Sequence, residues 1–472
     1  MTSIWMEACM GEFLKKMDSI LWGPGMLFFL LGSGVYLLIK LRFLPIRRLG
    51  YALSCVLKPE SETAKGDGIS ARSSLTTELA ATIGTGNIVG VATAMVLGGP
   101  GALLWMMLAA LVGLSTKFAE SMLSVAYRRR DKNGQYAGGP MYTLSGAFPN
   151  AMGRLGGVLF SIFAVFASFG MGNMTQSNSI SESLSETFSI SPIQTGIVLT
   201  ALVILALLGG IKRIAGITLY LVPFMALFYC LGTVFIILLH IDRLPEAAAA
   251  LFTGAFSGRA AAGGICGMTC ASMREAMRFG VSRGVFSNEA GLGAAGITAA
   301  AADTDSPVRQ GYISMTGVFF DTILICSLTG LALLTSGVLG MQEGGEPVMG
   351  AALMIAVFST GFGSFGGCFV SIGIALFAFA TIIAWEYQGE CAFSFLTGGR
   401  ACMEYRFIYA AASFLGAVCS LEAVWDFADC MNALMAVPNL LCVLALSDVV
   451  YRKMVLYDKI YISKKSKYVK NR

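Results

Sequence analysis

A chain whose apolar residues arrive in successive blocks of about 20 has few folds open to it, because that is the helix length that crosses a hydrocarbon core of roughly 30 Å. Reading the blocks gives spans at 22–40, 76–98, 102–127, 155–180, 193–210 and 216–240, an irregular one between 260 and 302, then 308–337, 368–393, 404–421 and 429–448. That is eleven. The runs are continuous and do not alternate, which argues against a β-barrel. With 56% hydrophobic and 13% charged residues, the composition is also far from that of a soluble domain. An all-α polytopic membrane protein is the expected class.

Loop charges give an independent test of the count. Lys40, Arg42, Arg47, Arg48 and Lys58 follow the first span, RRRDK (128–132) the third, and Lys212 and Arg213 the fifth. Arg309 opens the eighth span, Arg400 and Arg406 follow the ninth, and a heavily basic tail (451–472) closes the chain. The loops between are neutral or acidic, as in SESLSE (181–186) and EGGE (343–346). Every second loop is basic, so an odd count places the N-terminus outside and the C-terminus in the cytoplasm. The first 20 residues lack a basic region followed by a small-residue cleavage site, so no removable signal peptide is expected. A net charge of +5 spread over such loops points to lipid headgroups and topology, with no reason to invoke nucleic acid. No GxxxxGK[ST] loop is present, which disfavours ATP-driven transport.

Inside the second span the run TTELAATIGTGNIVG (76–90) is broken by G-T-G-N, a poor helix centre close to the bilayer midplane. Irregular backbone at that depth is tolerated only where it is buried in protein or lines a cavity. Two half-helices meeting there would offer N–H groups to a substrate carboxylate and C=O groups to Na⁺ or an ammonium. Gly84 and Gly86 let a ligand approach backbone, and Asn87 adds both a donor and an acceptor. A glycine-lined helix crossing is the plainer reading, and it leaves the Thr-Gly-Asn run unexplained.

A second, inverted half should repeat the break. Glycines cluster at 263–267 and 280–284, and spacing favours a break near Phe279–Gly284, with Ser287, Asn288 and Glu289 opening the next half-helix. Arg274, Glu275 and Arg278 would then fall deep in the membrane, as functional charges or as a structural ion pair. In the fourth span Gly172, Asn173, Gln176 and Ser179 share helical spacing; Gln176 is the candidate ligand, and interhelical hydrogen bonding the alternative. Thr381 and Trp385 stack four apart in the ninth, where an interfacial tryptophan is the bland possibility. The lone carboxylates Asp321 and Glu120 read as structural or gating partners rather than coupling sites.

Together TIGTGNIVGVATA (82–94), AGGPMY (137–142), GMGNMTQSNS (170–179), RFGVSRGVFSNEAGLG (278–293) and TIIAWEYQGE (381–390) resemble the alanine or glycine:cation symporter family, the sodium:alanine symporters. The resemblance implies a leucine-transporter-type core of 5+5 inverted-repeat helices preceded by one extra helix. On that division, 1–60 holds the extra helix and a basic loop, 61–240 the first repeat, 241–450 the second and 451–472 the tail. It also implies sodium-coupled uptake of small neutral amino acids, with Na⁺ as the co-transported ion. The substrate-site positions it carries over are Asn87, Gln176, Thr381 and Trp385, and Thr85 and Gly86 of the break are candidates beside them. Phe279 is added as a second wall of a small pocket. Backbone carbonyls at Ala80 and Ile83, with Thr381, are the sodium candidates.

Three rivals were open to the sequence. A proton-coupled permease on the same fold would be expected to carry a lysine in the span at 217–240, which has none. A membrane enzyme would need convergent acid, base or nucleophile groups, and no His pair, HExxH or GxSxG occurs in the spans. A passive channel could use a broken helix, but an inverted pair of breaks fits alternating access better.

Overall fold

The computed structural model describes residues 2–57, 68–132, 134–256, 273–304, 306–419 and 422–462. Among the described residues, helices run through each of the expected apolar ranges. After a leading helix Thr2–Leu21 come α1 (Pro24–Lys40), α2 (Ala71–Thr82), α3 (Val89–Gly98), α4 (Gly101–Ala126), α5 (Ala151–Phe169) and α6 (Thr175–Phe188). Then follow α7 (Pro192–Leu207), α8 (Gly210–Leu239), α9 (Met273–Asn288), α10 (Ala294–Ala300), α11 (Pro307–Val318) and α12 (Ser327–Ser336). The last three are α13 (Gly366–Thr397), α14 (Cys402–Val418) and α15 (Glu422–Ala445).

Local chemistry sets several starts. Ser70 and Ser306 cap α2 and α11 by accepting from the N–H three residues on, and Ser191 with Gln194 forms a capping box around Pro192 at the head of α7. Shorter helices outside the apolar ranges (Pro140–Ala147, Leu244–Phe256, Gly350–Phe362, Ser447–Tyr457) and two small hairpins, at 129–137 and 342–347, fill the connections.

Among the described residues seven helices are long and apolar enough to cross a membrane. The other expected ranges are the two interrupted helices, α2–α3 and α9–α10, and the uninterrupted α7 and α14, of 16 and 17 residues. At 1.5 Å per residue the latter two reach only about 25 Å.

The first interruption lies where G-T-G-N places it: α2 ends at Thr82, Thr85–Asn87 forms one tight turn, and α3 starts at Val89. The second does not lie at Phe279–Gly284. α9 runs unbroken through those residues to Asn288, and the chain leaves it at Glu289 (φ 57°), Gly291 (φ 103°) and Gly293 (φ 84°). Gly280 and Gly284 serve packing, since a Cβ on Gly280 would collide with the Ala102 carbonyl of α4 and one on Gly284 would sit 3.0 Å from Met106. Ser287 and Asn288 therefore close the first half-helix instead of opening the second. Arg274 and Glu275 are exposed in the first turn of α9, at the end of that helix away from the break. The glycine cluster at 263–267, Lys58 and the tail beyond Ile462 lie outside the described residues.

Packing sorts the helices into two groups. α4 runs against α9, α10 and α11, and α3 against α9; separately, α5 and α6 pack on α13, α15 on α5, and α6 and α7 on α14. The break of α2–α3 touches α13 across the boundary, which puts the site between the groups.

Candidate functional site

Three side chains from three helices converge on Gly84. Gln176 Oε1 accepts from the Thr85 N–H (3.2 Å) and from Thr85 Oγ1 (3.0 Å). Asn87 Oδ1 accepts from the Gly84 N–H at 2.9 Å, so the break caps itself. From α13, Thr381 Oγ1 lies 3.0 Å from the Ala80 carbonyl in the last turn of α2. A Cβ on Gly84 would fall 2.6 Å from Thr381 Oγ1 and 3.3 Å from Gln176 Oε1, a gap only glycine leaves. Gly84→Ala is therefore expected to fold but to lose at least about tenfold in uptake, the cost of a roughly 1–3 kcal/mol steric displacement at the convergence point. Transport by the reconstituted variant at wild-type protein density checks it.

Gln176 reaches the break because α5 and α6 are joined by a π-helical turn, Gly170–Met174. The extra residue separates the polar face expected from spacing: Asn173 turns away to donate to the Tyr409 carbonyl of α14, while Gln176 faces Thr85. Asn173 thus bonds to a neighbouring helix, and Gln176 to the break itself.

A second wide turn, Phe319–Cys326 between α11 and α12, carries Asp321. Its Oδ1 accepts from Asn87 Nδ2 at 2.7 Å, and its Oδ2 from Ser287 Oγ (2.8 Å) and Thr322 Oγ1 (2.7 Å). One buried carboxylate thereby ties both broken helices together. Around the second break, Asn288 Nδ2 donates to Thr322 Oγ1, Asn439 Nδ2 to the Gly291 carbonyl, and Lys117 Nζ to the Asn288 carbonyl at 2.8 Å. Asn439 also donates to Glu120, which makes that carboxylate a partner of the second break.

Trp385 is fully buried, so it is no interfacial residue. Its Cβ lies 2.5 Å from where a Gly172 Cβ would be, and its indole N–H donates to Glu289 Oε1 at 2.8 Å. Phe279 does not join this group. It is half-buried beside Arg278 and Ser282 in a surface cavity shared with Asp18 and Asp429, while Phe286, two turns on, lies against Gly86.

Of the expected substrate positions, Thr85, Asn87, Gln176, Thr381 and Trp385 come together with Gly84 and Gly86, and all five side chains are buried. Of the sodium candidates, Thr381 donates its hydroxyl to the Ala80 carbonyl, and Ile83 caps the end of α2, where carbonyls lack intrahelical partners. Sequence reading missed Lys117 and Glu78, both 1% exposed, and undervalued Asp321 and Glu289. The signal was present, since an ionisable residue inside an apolar span is a functional candidate by default.

The model of the sodium:alanine symporter family matches residues 6–471. The sodium/alanine symporter AgcS of Methanococcus maripaludis is 45% identical over 451 residues, 95% of this chain and 97% of that protein. The probable sodium/glutamine symporter GlnT of Bacillus subtilis is 35% identical, covering 96% of this chain and 92% of its own. Among solved structures, MhsT in complex with L-phenylalanine superposes with a TM-score of 0.56 at 11% identity, over 83% of this chain and 99% of MhsT. That likeness makes the fold one of the leucine-transporter type.

Proposed function

The chain belongs to the sodium:alanine symporter family, and from that premise we propose that it imports small neutral amino acids, alanine and glycine, together with Na⁺ by alternating access. The observation that carries this reading is the convergence of Asn87, Gln176 and Thr381 on Gly84.

The two N–H groups at the break, of Gly84 and Thr85, already point at amide oxygens. An amino acid carboxylate fits the same donors, with Gln176 released to bind it through its amide. Na⁺ fits the opposite end, among the Ala80 and Ile83 carbonyls and the Thr381 hydroxyl, oxygen ligands suited to a hard cation. Sodium there would draw α2 toward α13 and order the break before the amino acid completes it. The bulky rings of Trp385 on Gly172 and Phe286 on Gly86 support a preference for small side chains.

Basic loops after α1 and α4 and before α11 support a cytoplasmic-membrane orientation with the N-terminus outside. The breaks in α2–α3 and α9–α10 support the inverted repeats 61–240 and 241–450.

Labelled alanine uptake into proteoliposomes under imposed Na⁺, K⁺ or H⁺ gradients tests the proposal. Only the Na⁺ gradient should drive accumulation, and uptake driven by protons alone sinks it. Thr381→Val, which keeps shape and removes one oxygen, is expected to raise the Na⁺ concentration for half-maximal uptake about tenfold, the equivalent of one charge-assisted contact.

A further inference from the structure

Nearer the start of α2, a carboxylate sits outside the site just described. Glu78 is 1% exposed, and its Oε1 accepts from Ser314 Oγ of α11 (2.9 Å) and from Ser74 Oγ one turn back (3.3 Å). Ser74 Oγ also lies 3.1 Å from the Thr298 carbonyl of α10, and Gln310 Nε2 donates to both Ser74 Oγ (3.3 Å) and Ser314 Oγ (3.4 Å). Ser74, Thr298, Gln310 and Ser314 are wholly buried. Elements α2, α10 and α11 thus meet around one compact polar cluster.

Two of its buried oxygens, Glu78 Oε2 and Gln310 Oε1, have no hydrogen-bond partner. Each unmet acceptor costs about 1–3 kcal/mol, so an orphaned pair in one cluster calls for a group that satisfies both. The oxygens available are a carboxylate, two hydroxyls, a side-chain amide and a backbone carbonyl. That is the ligand chemistry of a hard cation, and a single carboxylate suits a monovalent one. Surrounding charge agrees. The Lys117 ammonium, bound to the Asn288 carbonyl, acts on Glu78, Glu120, Glu289 and Asp321 alike, so four buried carboxylates share one fixed positive charge.

Position gives the role. Glu78 precedes Ile83 by five residues, about 7.5 Å along the helix, and helical side chains lean toward the N-terminus. The cluster is therefore displaced from the Ala80–Ile83–Thr381 position toward the start of α2, the cytoplasmic end in the orientation proposed above. We propose that Glu78, Ser74, Ser314 and Gln310 form a second station for Na⁺ on the way from the first break to the cytoplasm, filled at equilibrium together with the first. This inference rests on the sodium-coupled reading of the chain.

Equilibrium binding of ²²Na⁺ to the purified full-length protein, without amino acid, tests it. Wild type should bind one sodium ion more per chain than Glu78→Gln, which should keep the ion held at the first break. Ser314→Ala retains the charge and is expected to weaken only the extra ion, by about tenfold; it decides the matter if Glu78→Gln is not monodisperse. Equal binding by wild type and Glu78→Gln, or a folded Glu78→Gln that binds no sodium, overturns the second station. Absence of sodium binding by wild type overturns instead the coupling on which it depends.

Discussion

Asn87→Ala and Asp321→Ala are each expected to reduce sodium-driven alanine uptake by about a hundredfold or more, and the double variant to do little further harm. Asn87 holds the first break from within through the Gly84 N–H, and it anchors that break to Asp321 at 2.7 Å. Asp321 holds Ser287 of the second broken helix with its other oxygen. Removing either residue strands buried partners. At about 3 kcal/mol for a broken buried network, and 1.4 kcal/mol per tenfold, a hundredfold loss follows. Because both substitutions cut the same link, their costs should not add. Uptake assays on the double-mutant cycle measure this directly. Additive losses would mean that the two residues act separately and that Asp321 does not join the breaks.

Trp385→Ala should be the most destabilising single change at the site. The side chain is the largest of those fully buried, and truncating a buried tryptophan costs about 3–5 kcal/mol. The change also strips Glu289 Oε1 of the indole N–H, while Glu289 Oε2 already lacks a donor. Trp385→Phe separates the two effects. It keeps most of the ring but not the N–H, so it should remain folded in detergent while losing about tenfold in uptake, one hydrogen bond to a carboxylate. Thermal unfolding followed by size-exclusion gives the first number and liposome uptake the second. A Trp385→Phe protein with wild-type uptake would reduce the indole to packing.

The helices were legible because a hydrocarbon solvent leaves the backbone little choice, and because apolar length alone marks a span. G-T-G-N was legible for the converse reason, since nothing local favours a helix there. The second break escaped because its glycines divide the labour. Gly280 and Gly284 let α9 close on α4, while the actual turn uses Gly291, Gly293 and a left-handed Glu289, a residue that seldom adopts that conformation. Spacing could not tell a packing glycine from a turning one. The roles of Asp321 and Trp385 were illegible for another reason. Their hydrogen-bond partners Asn87 and Glu289 lie 234 and 96 residues away in sequence, so Asp321 looked solitary and the Trp385 indole N–H had no acceptor in view. Phe279 was misplaced by the same error as the break, and Phe286 holds the position next to Gly86.

The wide turns at Gly170–Met174 and Phe319–Cys326 make the meeting of the broken helices a matter of counting. Each residue of an α-helix advances about 100° around the axis, and each π-turn inserts one more than the regular repeat allows. A chain shorter by one residue in either stretch, with every polar side chain kept, would revolve all that follows by about 100°. A deletion in the first would turn Gln176 away from Thr85, and one in the second would turn Asp321 from Asn87. The phase of these two helices, fixed by arithmetic along the chain, is as much a part of the break's architecture as the chemistry of the groups that meet there.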